Sequence, residues 1–469
     1  MKNLIKIIFF VILLSCFGFT QIKRSPVMLG MGGAYTTQAD GIYAVGVNPA
    51  NLNYQHGKPF MWQIGTLNFG LINNFLSLEN TLGLSGENLE TNNQRGKNKI
   101  YDQIRDGLRF NQHAHISIPM LSFSSGNMAV TNDIIEISDL NMPRGIFQFI
   151  LEGNEVGVPI DLEFQRESMV VSEHSFSFAV PLENFSWGVT MKYLGGIIYS
   201  GTDPDSSFAV FNTDPTNFNL QAKYFYRQGI GGNGFAFDFG LATKELNGFR
   251  IGASIINAFG SINWNEPSLF GEEFSQTLAK LTPGILEHGG SWGPYVFEKN
   301  QALVHEIIAD SVTLLDLTSG KWDETFIEKK YTISDLDDNG NARTFKVRYP
   351  GHFRLGISKQ IDKDLLISSD LIAGFTNRLG MYQNWQLSAG IQFNRLKSIP
   401  LRVGYMYGGK YIKELGFGAG FHAGPVIYDF AFSFRNGVWV HNMKGISISL
   451  GIALTSFKSR KDKVKDSEK

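Results

Sequence analysis

The residues of this chain that could do chemistry are few and scattered. Asp335, Asp337 and Asn339, followed by Gly340, match the first half of a calcium-binding loop, in which alternate oxygens wrap a hard cation. The twelfth position of that loop should bring a bidentate Glu, and here it is Lys346, so the segment reads as a turn. Gly30-Met31-Gly32-Gly33 superficially resembles a dinucleotide loop. Tyr35 stands where the third glycine belongs, and no strand precedes the segment in a mature chain. No His-x-x-x-His pair occurs. The expectation is no enzyme, no metal centre and no cofactor. Arg402, Glu414, His422, Asp429 and Arg435 remain, each isolated among small residues. Their expected role is interior ion pairing or hydration.

The elements that carry those five residues have a period of two. Ile446, Ile448, Leu450, Ile452 and Leu454 alternate with Ser447, Ser449, Gly451, Ala453 and Thr455. Successive side chains of a strand point to opposite faces, so one face is greasy and the other small and polar. Val426 to Arg435, Glu414 to His422, Leu401 to Gly408 and Trp385 to Asn394 repeat the pattern, with tight turns such as Ala423-Gly424-Pro425 between them. Adjacent strands of about ten residues joined by short turns make an antiparallel meander, and about ten residues is what a tilted strand needs to cross a bilayer.

Upstream, one face is marked by Trp187, Val189, Met191, Tyr193, Ile197 and Tyr199. Further strands are expected at Phe218–Tyr226, Phe235–Leu241 and Phe249–Phe259, and near 58–69, 74–84, 113–123, 127–138, 353–361 and 364–376. The total is about 14, or 14–16, on the scale of ~10 residues per strand. Ile100, Ile104 and Leu108 sit four apart and predict a short helix over Asn98–Leu108, and Pro143 opens another through Leu151.

Composition supports a membrane barrel over a soluble sandwich. Charged residues are 18% of the chain, against roughly 25% in soluble domains. Aromatics are 13%, and there are 51 Gly. The inward faces carry Gly, Ser and Ala, where a water-facing strand would carry Lys, Glu and Thr. The formal net charge of -1 offers no basic field, so no nucleic acid is expected. Lys2 and Lys6 precede 13 uncharged residues, Ile7 to Phe19. That run suits a secretory leader and falls short of the ~20 residues of a spanning helix. Cleavage is expected near Gln21. That removes the one Cys, Cys16, although Leu13-Leu14-Ser15-Cys16 also has the form of a lipidation site. The expected organisation is a signal peptide over 1–20, a hatch over 21–56, a transmembrane β-barrel over 57–457 with a long loop region at about 264–349, and a charged tail over 458–469, with Phe457 ending the last strand.

The stretch from Gly30 to Leu52 is the exception to the strand pattern, being rich in small residues with a turn signal at Asn48-Pro49. Gly32, Gly33, Ala34, Ala39, Asp40, Asn48, Pro49, Ala50 and Leu52 fall in the order found at the start of FadL-type outer-membrane transporters and the related PorV-type barrels, which this segment resembles; with Gly30 they make the hatch motif. The resemblance covers some 23 residues, Gly30 to Leu52. It implies a hatch that plugs an all-β barrel in the bacterial outer membrane, amid outer-membrane lipid. It further implies passive uptake of a small hydrophobic molecule, released sideways through the wall. The alternative is a PorV-like role in protein secretion or surface assembly, through partner proteins.

Overall fold

The computed structural model describes residues 23–54, 60–85, 89, 94–105, 107–203, 205–264, 301–313, 316, 327–332, 345–381, 383–396, 398–409 and 412–456. The expected leader with Cys16, the Asp335–Gly340 turn, Phe457 and the tail lie outside the described residues.

Fourteen strands form one closed antiparallel barrel. They are β1 Phe60–Asn73, β2 Gly107–Ser117, β3 Met128–Pro143, β4 Gln165–Pro181 and β5 Phe185–Thr202, then β6 Phe218–Thr243, β7 Phe249–Asn263, β8 His352–Gln360 and β9 Leu365–Gly374. The last five are β10 Gln386–Phe393, β11 Leu401–Gly408, β12 Ile412–Ala423, β13 Val426–Arg435 and β14 Gly445–Thr455. Each pairs with its successor. β14 then pairs with β1, Leu450 opposite Leu67, which closes the ring and leaves no edge. Leu67, Phe239, Leu387, Ile391 and Ile448 are exposed on the outer face. No helix among the described residues is long and apolar enough to cross a membrane. Turns such as 423–426 and 181–185 gather at one end, and the longer connections leave from the other.

The structure corrects several expectations locally. Residues near 74–84 are not a strand, because Ser77 caps a helix over Leu78–Leu84. The helix expected over Asn98–Leu108 runs over Gln94–Ile104. Gly107, at φ +140°, turns the chain into β2, and Leu108 still joins Ile100 and Ile104 in one apolar cluster. The two segments Phe218–Tyr226 and Phe235–Leu241 belong to one strand. Tyr199 does not share the outer face of Trp187. A register shift opposite Val170 and Val171 adds a residue to β5 near Ile197, and one extra residue moves every later side chain to the other face. Tyr199 is therefore buried inside.

Candidate functional site

The lumen is filled from its short-turn side by residues 23–54, nearly all buried. The segment makes only short elements. Ser25 caps the single turn Pro26–Gly30 by accepting from the Met28 amide at 3.2 Å. Two 3-10 stretches follow, Gly41–Ala44 and Pro49–Tyr54. Gly32 and Gly33 have φ of +60° and +92°, a conformation in which glycine carries no Cβ penalty.

What holds this hatch is a wall made of glycines and small donors. Gly188 faces Gly240, Gly252 faces Gly356, and Gly404 lies between Gly390 and Gly416 across adjacent strands. A Cβ on Gly404 would fall on the Met31 carbonyl group, and one on Gly416 on the Leu29 oxygen. One on Gly188 would stand 2.5 Å from the Ala50 nitrogen, and one on Gly356 2.7 Å from the Thr36 Cβ. The wall is therefore bare backbone where the hatch lies closest. Between the glycines, Ser186 donates to the Ala50 carbonyl at 2.9 Å, Ser254 to Val47 at 2.6 Å and Ser368 to Ala34 at 2.8 Å. The small residues of the inward faces are the counter-surface of the hatch.

Charged wall residues bind further hatch groups. Asp370 of β9 accepts from the Tyr35 and Thr36 amides, both at 2.9 Å, and from the Thr36 hydroxyl at 2.6 Å. Arg354 of β8 donates to Asp370 at 2.9 Å and to the Gly33 carbonyl at 2.7 Å. Asn48 donates to the Leu241 carbonyl of the wall at 3.0 Å and accepts from the Ala50 amide at 3.2 Å. Pro49 packs beside Gly240. Asp40 precedes Gly41–Ala44 half-buried, its carbonyl accepting from the Tyr43 amide at 3.1 Å. At the start of the hatch, two consecutive cations reach opposite walls. Arg24 donates to Glu414 of β12 at 2.6 Å, while Lys23 pairs with Asp133 of β3 and lies 3.5 Å from Glu173 of β4.

The five isolated polar residues read from the sequence gather in two groups. Glu414 binds Arg24, the Ser433 hydroxyl at 2.7 Å and Arg435 at 3.2 Å, and Arg435 donates to Ser447 at 3.0 Å. Arg402 donates to Asp429 at 2.7 Å, and His422 lies 3.2 Å from the same carboxylate, partly exposed at the short-turn end. Lys23, Arg24, Asp133, Glu173, Lys192, Asp238, Arg354 and Asp370 went unread. Most of their partners lie far away in sequence; Arg354 and Asp370 meet across adjacent strands. The available signal was a charge on the inward phase of an otherwise apolar strand, as with Asp370 in LLISSDLIAG.

Beyond the hatch, the lumen differs from side to side. Along β3–β7, Lys192 pairs with Asp238 at 3.0 Å and donates to Asn257 at 2.6 Å. Toward the long-loop end this charge gives way to an apolar layer of Ile135, Ile137, Met169, Val171, Leu194 and Ile262. Trp264, Tyr349, Leu379 and Met381, from the connections, close over it. The wall here is irregular. β7 shifts register against β6 twice between Ile255 and Ser261, with Asn257 and Phe259 at φ of +56° and +57°. Outside, next to these bulges, lies an apolar groove of about 290 Å³ lined by Trp187, Val189, Phe239, Leu241, Ile255 and Phe353 among others. On the opposite side, an open vestibule of about 840 Å³ enters from the long-loop end, lined by Asn73, Arg105, Arg109, Asn111, Lys444 and neighbours. Among the described residues, no three His, Cys, Asp or Glu side chains are grouped to hold a metal.

A family of unknown function, DUF5723, matches residues 49–227 of this chain. No curated protein matches it in sequence. Among solved structures, the toluene transporter TbuX of Ralstonia pickettii is similar at 12% identity and a TM-score of 0.47, over 92% of this chain and 98% of that one. The toluene transporter TodX of P. putida is similar at 11% identity and a TM-score of 0.48, over 93% and 99%. A FadL homologue of Pseudomonas aeruginosa is similar at 11% identity and a TM-score of 0.46, over 93% and 99%.

Proposed function

We propose that this chain is an outer-membrane barrel for the passive uptake of small hydrophobic compounds, with residues 23–54 as its gate. The observation that carries the reading is the apolar layer inside the barrel. A water-filled pore has a polar lumen. Here Ile135, Val171, Leu194, Ile262 and Trp264 pack as a dry apolar layer, above the hatch and beside the strand that bulges at Asn257 and Phe259. A compound that partitions out of water gains about 25 cal/mol per Å² of apolar surface it buries, and an ion gains nothing there. The bulged strand, with its outer apolar groove, supplies a route sideways into lipid. In this reading the motif Gly30, Gly32, Gly33, Ala34, Asn48, Pro49 and Ala50 seats the gate. Arg402, Glu414, Asp429 and Arg435 anchor it or the wall, and none of them contacts the transported compound.

The test is uptake of a radiolabelled monoaromatic hydrocarbon by proteoliposomes. Protein-containing vesicles should equilibrate faster than empty ones. Ala236 of β6 is buried in the apolar layer, and overfilling that layer by Ala236→Phe should abolish the difference. Identical rates for wild type and A236F, with the variant folded, would remove the apolar layer from the route.

A further inference from the structure

The connection between β13 and β14 ends in three consecutive apolar residues, Val438, Trp439 and Val440, exposed at 51%, 68% and 47%. A connection tip in water is ordinarily polar. This one is also held rigidly in shape. The Asn442 side-chain oxygen accepts from the Val438 and Trp439 amides at 3.0 and 3.1 Å, and the Trp439 carbonyl accepts from the Asn442 and Met443 amides at 3.1 and 2.9 Å. At its base, Lys444 donates through its amide to the Arg435 carbonyl at 2.8 Å, and Asn436 to Lys413 at 2.7 Å. The fold thus presents the three side chains outward without packing them away.

The lipid-facing wall leads directly to this tip. On the outside of β13 the rings of Phe430, Phe432 and Phe434 follow one another at 6.3 and 5.6 Å, and the Trp439 ring stands 6.2 Å from Phe434. Tyr407 of β11 and Trp385, just before β10, are both more than half exposed at the same end of the barrel, two and three strands along from β13. Trp and Tyr concentrate where hydrocarbon meets the headgroups, because their rings are apolar and their N–H or O–H groups are not.

We propose that the Val438–Val440 tip is a membrane-interface anchor that inserts into the outer leaflet of the surrounding bilayer. Its occupant is lipid, because the tip continues the face that lipid already covers. Lys413 and Asn436 flank the tip and also line the vestibule. Insertion therefore holds that rim of the vestibule at the leaflet surface. The anchor stands whether or not the uptake reading does, since it rests on the wall and not on the lumen.

The experiment uses the full chain in phosphatidylcholine vesicles whose acyl chains are brominated either near the headgroup or near the chain end. The chain has seven Trp, so the Trp439 signal is the difference between wild type and W439F. That difference should lose more than half of its intensity to shallow bromines, less to deep ones, and little to aqueous iodide. V438C labelled with a polarity-sensitive dye gives a second reading, independent of W439F, and should shift to the blue when the protein moves from a short-chain detergent into vesicles. Quenching by iodide with none by either bromolipid would place the tip in water. Protection from all three quenchers would place it under protein. Either result overturns the proposal.

Discussion

The two sides of the lumen are shut by different forces. Along β3–β7 the connections fold inward, and Trp264, Tyr349, Leu379 and Met381 complete an apolar layer above the Lys192–Asp238 pair. Along β8–β14 no such layer forms among the described residues. The seal there is the hatch itself, clamped by Asp370, Arg354 and Glu414 onto bare glycine backbone, and the space above part of it stays open as the vestibule. Apolar packing is non-directional and can re-form around a guest. A buried carboxylate with four donors has one good geometry. The first side is therefore suited to passage and the second to holding.

That contrast breaks most severely at Asp370. Asp370→Ala strands the buried Arg354 guanidinium and frees two hatch amides. Removing one partner of a buried pair costs about 3–5 kcal/mol. The expected result is a hatch that is cut by protease in folded barrels, with ion conductance in planar bilayers where wild type shows little. Trp264→Ala probes the other side. Its direct cost is about 3–5 kcal/mol, the usual range for a buried Trp, but the hatch bonds stay intact. Hydrocarbon flux should rise with ion conductance unchanged, and a rise in both would erase the distinction between the sides.

A smaller effect is expected at the glycine belt. Gly404→Val puts side-chain atoms onto Met31, and overpacking of this kind costs about 1–3 kcal/mol. The hatch should loosen on the β11 side, read as faster hydrogen exchange of residues 28–34. Gly83→Ala, with nothing within 4 Å of its added Cβ, should leave the exchange unchanged. The smallest effect lies outside the lumen. Burial, and then the Glu152 carboxylate, push the Tyr101 phenol up to about 12. An unfolded phenol ionises near 10. The contribution of Tyr101 is therefore complete below about pH 10 and is lost as pH rises toward about 12. Helix signal from Gln94–Ile104 should fade over that interval in wild type and less in Y101F, while the hatch stays protected.

The barrel was legible because lipid imposes a period of two on every strand, and Ile446 to Leu454 follows it without a break. It misled where a bulge resets the phase, as at Tyr199, and where a short apolar run is satisfied by a capped helix, as at Leu78–Leu84. The hatch residues were legible as a small-residue segment out of step with the strands. Their partners were not, because Asp370 and Thr36, or Arg24 and Glu414, meet only once the ring has closed. No local pattern records such a meeting. The inward Gly and Ser did carry its trace, since only a wall facing another backbone needs to be so bare.

The most direct test of the account measures two fluxes through the same protein in the same proteoliposomes: ion conductance, and equilibration of a neutral aromatic hydrocarbon. The account predicts hydrocarbon entry faster than in empty vesicles, with conductance close to the bilayer background until Asp370 is replaced. Steady porin-like conductance in the wild type, with D370A and wild type alike, would contradict a lumen sealed by the hatch.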